Sequence, residues 1–106
     1  MNFGNILKRI LEEKSKNLSE IPDLLEIYLF GSILSKKKYP NDIDILFIFE
    51  YIYGQDLILL YNRIQQFCDL LQIEIKQKVD FTVLNKSEEE ELSFIKKSKA
   101  QLIYKQ

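Results

Sequence analysis

Two aspartates separated by one residue follow a Gly-Ser pair in this chain. After Gly31-Ser32 come nine intervening residues and then Asp42 and Asp44, which begin an apolar segment typical of a β-strand. Side chains at i and i+2 of a strand lie on the same face, so the two carboxylates repel each other unless a cation lies between them. Backbone N–H groups and the hydroxyl of a Gly-Ser turn suit phosphate. The spacing therefore predicts a site for a metal-bound nucleoside triphosphate.

A third carboxylate, Asp80, lies in a later apolar segment, 78–84, that alternates like a strand. If this strand pairs beside the one that begins at Asp42, the three carboxylates can converge, and without a metal ion they would repel one another strongly. Mg²⁺ prefers hard oxygen ligands and keeps substrate phosphates in its coordination shell. We therefore expect two Mg²⁺ ions, with Asp42 and Asp44 binding both, and with Asp80 completing the second and accepting the proton of an attacking hydroxyl.

Each of these residues, taken alone, also fits an ordinary structural role. Asp42 could cap a turn, Asp80 could be a solvated strand residue, and Gly31-Ser32 could form a simple turn. Their combination favours the phosphate and metal site, because a strand, a Gly-Ser turn, a strand with paired aspartates and a third strand carboxylate rarely coincide.

Hydrophobic periodicity predicts the elements that would position these residues. The predicted elements are a helix over 3–16, a connection over 17–25, strands over 26–30, 42–50 and 78–84, a short helix over 32–37, a turn over 39–41, a long helix over 56–75 and a final helix opened by a capping box of Ser87 and Glu90. This order implies a single α/β domain over 1–106, a small sandwich whose mixed sheet has about three strands and whose helices pack mainly on one face. In the second strand one face is apolar throughout, and the face that begins with Asp42 and Asp44 becomes apolar at Leu46 and Ile48. A strand that is apolar on both faces is covered on both sides or contacts a partner.

Composition narrows the function classes. The 106 residues carry a net charge of −1, which argues against a free-standing nucleic-acid binder. The chain contains no histidine, which excludes Ser-His and Cys-His triads and His-ligated metals, and its one cysteine, Cys68, suits a buried core position. No apolar run approaches the roughly 20 residues of a membrane span, and charges interrupt the N-terminal apolar residues, so we expect a cytoplasmic protein.

The site residues together resemble the signature of a known family. Gly31-Ser32, the nine-residue gap, the Asp42-Asp44 pair and the later Asp80 are similar to the motifs of the DNA polymerase beta-like nucleotidyltransferase superfamily, and the small size resembles its minimal nucleotidyltransferases, or MNT proteins. The resemblance implies a nucleotidyltransferase-like fold in which Gly31 and Ser32 hold nucleotide phosphates, Asp42 and Asp44 bind two magnesium ions, and Asp80 completes the site.

The loop between Ser32 and Asp42 departs from the pattern of many relatives. It is nine residues long where many have ten, Lys36-Lys37-Lys38 fills the place of a glycine, and Asn41 stands where many have serine. The three lysines could contact the triphosphate or form a solvated turn.

The size of the chain and the resemblance together suggest the acceptor. About 106 residues supply a nucleotide pocket and little else, so another chain would bring the acceptor. Minimal nucleotidyltransferases occur as antitoxins of HEPN-domain RNase toxins, and the resemblance implies Mg²⁺-dependent transfer of AMP from ATP to a toxin hydroxyl, typically that of a tyrosine. Leu46, Ile48 and the Tyr51-Ile52-Tyr53 segment could contact such a partner or belong to core and loop packing.

Two other functions are consistent with the same residues. The chain could neutralise its partner by binding alone, with a degenerate nucleotidyltransferase site. It could also be a nucleotidyltransferase for a small molecule of the aminoglycoside type, with a partner subunit completing the pocket.

Overall fold

Four helices and four strands make up the part of the chain that the structure describes. A computed structural model describes residues 3–15, 18, 24–31, 42–50 and 54–105. The elements are α1 (Phe3–Ser15), β1 (Leu24–Phe30), β2 (Asp42–Phe49), α2 (Gly54–Ile75), β3 (Lys78–Asn85), α3 (Lys86–Leu92), α4 (Phe94–Ser98) and β4 (Gln101–Lys105). The predicted short helix over 32–37 and the predicted turn over 39–41 lie outside the described residues.

The strands form one mixed sheet, as the sequence predicts. Their order is β3-β2-β1-β4. β1 pairs antiparallel with β2 and with β4, whereas β2 and β3 are parallel. A parallel pair requires a long crossover connection, and the 22-residue helix α2 lies between β2 and β3 in the chain. Among the described helices, none combines the length and apolarity that crossing a membrane requires.

The main core lies between one face of the sheet and helices α1 and α2. β2 contributes Ile43, Ile45, Phe47 and Phe49, the alternate residues that point to this face. Phe47 meets Phe67 of α2 and Phe81 of β3 edge to face, with ring centroids 6.1 and 6.2 Å apart. The helices add buried residues at helical spacing, which are Leu7 and Leu11 of α1 and Leu60, Ile64, Phe67, Cys68 and Leu71 of α2.

A smaller core lies on the opposite face of the sheet. Leu46 is fully buried and Ile48 is 2% exposed, and both pack with Leu84 of β3 against Phe94 and Ile95 of α4. Of the two interpretations offered for Leu46 and Ile48, core packing is therefore correct and partner contact is wrong. The segment 51–53, for which the same two interpretations were offered, lies outside the described residues.

The C-terminal region differs from the single final helix that the sequence predicts. Ser93 and Lys99 both take left-handed backbone angles, with φ of 51° and 55°, so the region is divided into α3, α4 and a strand. That strand, β4, pairs with β1 through Tyr104 opposite Ile27 and makes the sheet four-stranded rather than three-stranded. The prediction was wrong here because acidic and basic residues arranged along a helix dipole outweighed the short apolar stretch at 102–104.

The capping box of α3 also lies two residues earlier than predicted. The side chain of Asn85, not Ser87, accepts from the N–H of Glu88 at 2.7 Å, and the Glu88 carboxylate accepts from the N–H of Asn85 at 3.0 Å. These two bonds satisfy N–H groups that have no partner inside the helix. The cap fixes the point at which the chain leaves β3.

We expect Asn85→Ala to lower the free energy of unfolding by about 1 kcal/mol, because it removes the acceptor of the cap. Ser87→Ala is the matched control, since Ser87 is exposed and lies two residues beyond the capping Asn85; its effect should stay within about 0.5 kcal/mol. Urea unfolding followed by circular dichroism measures both variants. Equal losses for Asn85→Ala and Ser87→Ala would show that the cap lies elsewhere.

Candidate active site

Strand β2 brings two of the candidate residues to one face of the sheet. Asp42 and Asp44 are half-buried, whereas Ile43 and Ile45 beside them are fully buried in the main core. The alternation predicted from the sequence is therefore confirmed. The two aspartates lie on the face that carries Leu46 and Ile48 further along the strand, where the smaller core begins.

Strand β3 brings the third carboxylate beside them. In the parallel register of β2 and β3, Asp80 is the partner of Asp44, and Lys78 is the partner of Asp42. Neighbouring strands lie about 4.8 Å apart, and paired residues project to the same face. Asp80 therefore lies on the same face as Asp44, as the three-carboxylate interpretation requires.

The charges of Asp42 and Asp80 act on Asp44. Burial raises the pKa of Asp44 above its usual value, and the negative charges of Asp80 and Asp42 raise it further. Asp42 and Asp80 thus lie close enough to Asp44 for their charges to disfavour its ionised form. A cation placed among the three would relieve this repulsion.

Gly31 lies directly against the Asp44 carboxylate. It follows β1, whose last residue, Phe30, pairs with Asp44, and it takes a positive φ of 81°. A Cβ atom at this position would lie 2.3 Å from Oδ2 and 3.1 Å from Cγ of Asp44. The backbone angle favours glycine, and the contact leaves no room for a side chain.

One neighbour of the site was not singled out from the sequence. The Lys78 ammonium lies 4.0 Å from Oδ1 of Asp80, and both side chains are largely exposed. An exposed pair at this distance contributes little to stability. The signal that could have found Lys78 is its position two residues before Asp80, which places both on one face of β3.

Ser32, Lys36-Lys37-Lys38 and Asn41 lie outside the described residues. Their predicted contacts with phosphate, and the effect of the nine-residue gap, stay predictions.

Asp42, Asp44 and Asp80 offer carboxylate oxygens, which are the ligands that magnesium prefers. The charges of Asp42 and Asp80 disfavour the ionised form of Asp44, and a bound cation would offset this effect. Within the described residues, however, no three or more His, Cys, Asp or Glu side chains are grouped closely enough to hold a metal ion. The three aspartates share a face, and the charges of Asp42 and Asp80 disfavour the ionised form of Asp44, but the three do not form a closed set of ligands.

Comparisons with known proteins agree with this geometry. The model of the family described as "Polymerase beta, Nucleotidyltransferase" matches residues 7–106. No curated protein matches the chain. Among solved structures, the crystal structure of the toxin–antitoxin MntA-HepT is similar, with 17% sequence identity and a TM-score of 0.59 over 96% of this chain and 73% of that chain. At this identity the likeness shows a shared fold, and the family model covers nearly the whole sequence. The chain belongs to the polymerase beta nucleotidyltransferase family.

Proposed function

We propose that the chain is a magnesium-dependent nucleotidyltransferase that moves AMP from ATP to a hydroxyl group, that of a tyrosine, on a HEPN-type toxin, and that it acts as the antitoxin. The observation that carries the proposal is the register of β2 and β3, which pairs Asp44 with Asp80 beside Asp42 on one face. Membership of the nucleotidyltransferase family supports the general reaction. The roles proposed below are assigned to the carboxylates of the three aspartates and to the backbone at Gly31.

In this proposal Asp42 and Asp44 hold magnesium and Asp80 completes the set of carboxylates. Magnesium, when bound, polarises the phosphate oxygens and makes the acceptor hydroxyl easier to deprotonate. The acceptor oxygen forms a bond to the α-phosphorus, and the bond from that phosphorus to the pyrophosphate oxygen breaks. The hydroxyl proton passes to a carboxylate oxygen of Asp80. Gly31 lets the nucleotide phosphates approach the backbone, and Ser32 donates its hydroxyl to them.

The nature of the acceptor rests on size and on the structural comparison. The described residues leave the aspartate face with only the short helices α3 and α4 beside it, which supports an acceptor brought by a second protein. The similar solved structure is that of a toxin–antitoxin pair, MntA-HepT. Its fold covers almost the whole of this chain, which supports a toxin as the partner.

A second candidate function is neutralisation by binding alone. It is favoured by one observation, that the described residues hold no group of three or more side chains placed to bind a metal ion. In that case the chain would keep the fold of the family and bind the toxin without transferring AMP.

Transfer of label separates the two functions. The chain is incubated with a co-expressed HEPN toxin and ATP labelled at the α-phosphate, with Mg²⁺ or with EDTA. We expect label on the toxin only with Mg²⁺, and we expect the double variant Asp42→Asn, Asp44→Asn to lose both labelling and neutralisation. Asp56→Asn is the matched control, because Asp56 is an exposed aspartate in the first turn of α2 and α2 packs on the other face of the sheet.

If the double variant still neutralises the toxin fully, binding alone suffices and the transferase proposal is wrong. Label on a small molecule and never on protein would instead assign a small-molecule acceptor.

A further inference from the structure

Two aromatic side chains border the aspartates on the β1 side of the candidate active site. Phe30, the last residue of β1, is the strand partner of Asp44 and directly precedes Gly31. Paired residues project to the same face, so Phe30 lies on the aspartate face, about 4.8 Å from Asp44 at the backbone. Phe94, the first residue of α4, packs edge to face on Phe30 with ring centroids 4.9 Å apart. Both side chains are only half-buried, and together we call them the aromatic pair.

The backbone of α4 holds Phe94 over the end of β1. Ser93, directly before Phe94, takes a left-handed φ of 51°, a conformation that residues other than glycine rarely adopt. The carboxylate of Glu89 accepts from the N–H of Ile95 at 3.2 Å, and the hydroxyl of Ser98 donates to the carbonyl of Phe94 at 2.7 Å. Phe94 is thus fixed on both sides, and a ligand that contacts its ring meets a surface already in place.

The strand order separates the positions of the two substrates in the proposed reaction. In the order β3-β2-β1-β4, Phe30 and Gly31 lie on one side of Asp44, and Asp80 lies on the other. The proposed roles assign the nucleotide phosphates to Gly31 and the acceptor hydroxyl to Asp80. The aromatic pair is therefore on the nucleotide side. The part of a nucleotide that suits an aromatic surface is the base, because the phosphates and the ribose are polar.

We propose that Phe94, supported by Phe30, stacks on the base of the bound nucleoside triphosphate. This contact rests on the proposed function, because it requires a nucleotide whose phosphates lie at Gly31 and the aspartates. Stacking uses the π face that every base has, so it is tolerant of base identity. Phe94 therefore contributes affinity for the nucleotide and does not by itself select adenine.

Other aromatic residues near the site are directed elsewhere. Tyr28 projects to the same face of β1, but its hydroxyl donates to the carboxylate of Glu26, two residues further from Gly31 along the strand. Phe81, which follows Asp80 on β3, packs against the main core on the opposite face. Among the aromatic residues that the structure describes, the aromatic pair is therefore the one placed to contact a ligand at the aspartates.

Binding to the chain alone, without toxin, tests the contact. Calorimetry with Mg²⁺ compares α,β-methylene ATP, which cannot transfer AMP, with tripolyphosphate, which has no base. Phe94→Leu keeps an apolar contact with Phe30 and removes the aromatic face. We expect it to raise the Kd for α,β-methylene ATP about tenfold, the effect of losing one base–aromatic stack, and to change the Kd for tripolyphosphate less than about twofold. Tyr61→Leu is the matched control and should change neither Kd, because Tyr61 is 42% exposed on α2, which packs on the other face of the sheet.

Fluorescence gives a second measurement of the same contact. The chain contains no tryptophan, so a single substitution introduces a reporter at the site. Phe94→Trp should lose emission when α,β-methylene ATP binds, because a stacked base quenches the indole, and should respond far less to tripolyphosphate. Tyr61→Trp should respond to neither ligand. Quenching of equal size by the two ligands in Phe94→Trp would show that the base does not contact position 94 and would overturn the proposal.

The results separate the stacking contact from the proposed function. If both ligands bind the wild type and Phe94→Leu changes the two Kd values equally or not at all, the stacking contact is wrong and the phosphate and metal site stands. If neither ligand binds the wild type, the nucleotide site of the proposed function is wrong, and the stacking contact is wrong with it. Circular dichroism checks that Phe94→Leu is folded, and the Phe94→Trp reporter decides if it is not.

Kinetics with the toxin test which substrate Phe94 contacts. Phe94→Leu should raise the KM for ATP about tenfold and leave the KM for the toxin unchanged, because the acceptor approaches from the side of Asp80. A raised KM for the toxin together with an unchanged Kd for α,β-methylene ATP would assign Phe94 to the acceptor and overturn the proposal.

Discussion

Replacing Asp44 with asparagine should reduce AMP transfer at least about 10²-fold while leaving the fold as stable as before or more stable at neutral pH. The substitution keeps the shape of the side chain and removes the charge that would hold magnesium. Position 44 stays paired with Phe30 of β1 and with Asp80 of β3. The rate of label transfer to the toxin, measured with saturating ATP and Mg²⁺, gives the size of the loss.

The stability part of this prediction follows from the raised pKa of Asp44. The folded chain holds the Asp44 proton more tightly than the unfolded chain, so the contribution of Asp44 to stability falls as the pH rises from the ordinary value of 3.8 through the raised pKa. At pH 7 the wild-type protein therefore carries the full penalty of a charged Asp44, and Asp44→Asn removes it. The difference in Tm between variant and wild type should shrink as the pH is lowered toward 3.8.

Magnesium gives a second measurement for the same variant. Because a bound cation relieves the repulsion among Asp42, Asp44 and Asp80, Mg²⁺ should raise the Tm of the wild type and raise that of Asp44→Asn less. Asp56→Asn should behave as the wild type in every assay. Wild-type transfer rates in Asp44→Asn would show that Asp44 is not part of the site. Equal increases of Tm with Mg²⁺ in the two proteins would show that Asp44 does not bind magnesium.

Gly31→Ala should lower both stability and transfer, and the chain supplies a matched control for it. An added Cβ would lie 2.3 Å from Oδ2 of Asp44, so the carboxylate must rotate away or the backbone of β1 must shift. A displacement of about 1 Å at a reacting group can cost about 10²-fold in rate, and we expect a loss of this size in AMP transfer.

Gly54→Ala separates the effect of backbone strain from the effect of the clash with the Asp44 carboxylate. Gly54 also takes a positive φ, 60°, but an added Cβ there meets nothing within 4 Å. Gly54→Ala should therefore lose about 1 kcal/mol of stability from the left-handed backbone and keep its transfer activity. Gly31→Ala should lose more stability than Gly54→Ala, because it adds a steric clash to a similar strain. Equal transfer rates in the two variants would show that the Asp44 carboxylate takes no part in the reaction in its present position.

Strand periodicity was enough to predict the features that depend on neighbouring residues alone. Alternation placed Asp42 and Asp44 on one face, which follows from backbone geometry within a few residues. The positive φ of Gly31 is consistent with the turn that the Gly-Ser pair predicts. The position of Asp80 was conditional, because alternation within β3 does not say which strand it pairs with. Only the parallel register with β2 places Asp80 opposite Asp44.

The wrong predictions for the C-terminal region also arise because pairing between distant strands leaves no signal in the local sequence. β4 is stabilised by pairing with β1, more than 70 residues earlier in the chain, for example between Tyr104 and Ile27. No local signal in 101–105 competes with the charge pattern of the preceding helices. The cap at Asn85 was missed because two pairs satisfy the capping-box rule, Asn85 with Glu88 and Ser87 with Glu90. The choice between the two pairs depends on where β3 ends.

The parallel register of β2 and β3 also sets the order in which the site can assemble. Gly31, Asp42 and Asp44 belong to the β1–β2 hairpin, whose strands are close in sequence, whereas Asp80 follows Asp44 by 36 residues and reaches it only after α2 has crossed the sheet. Contacts that close long loops form late in folding. A chain with the hairpin formed and the crossover still open would hold Gly31, Asp42 and Asp44 in place and lack Asp80, the proposed proton acceptor. Slippage of β3 by one residue would turn Asp80 to the opposite face, so the step that sets this register decides whether Asp80 joins the other proposed site residues.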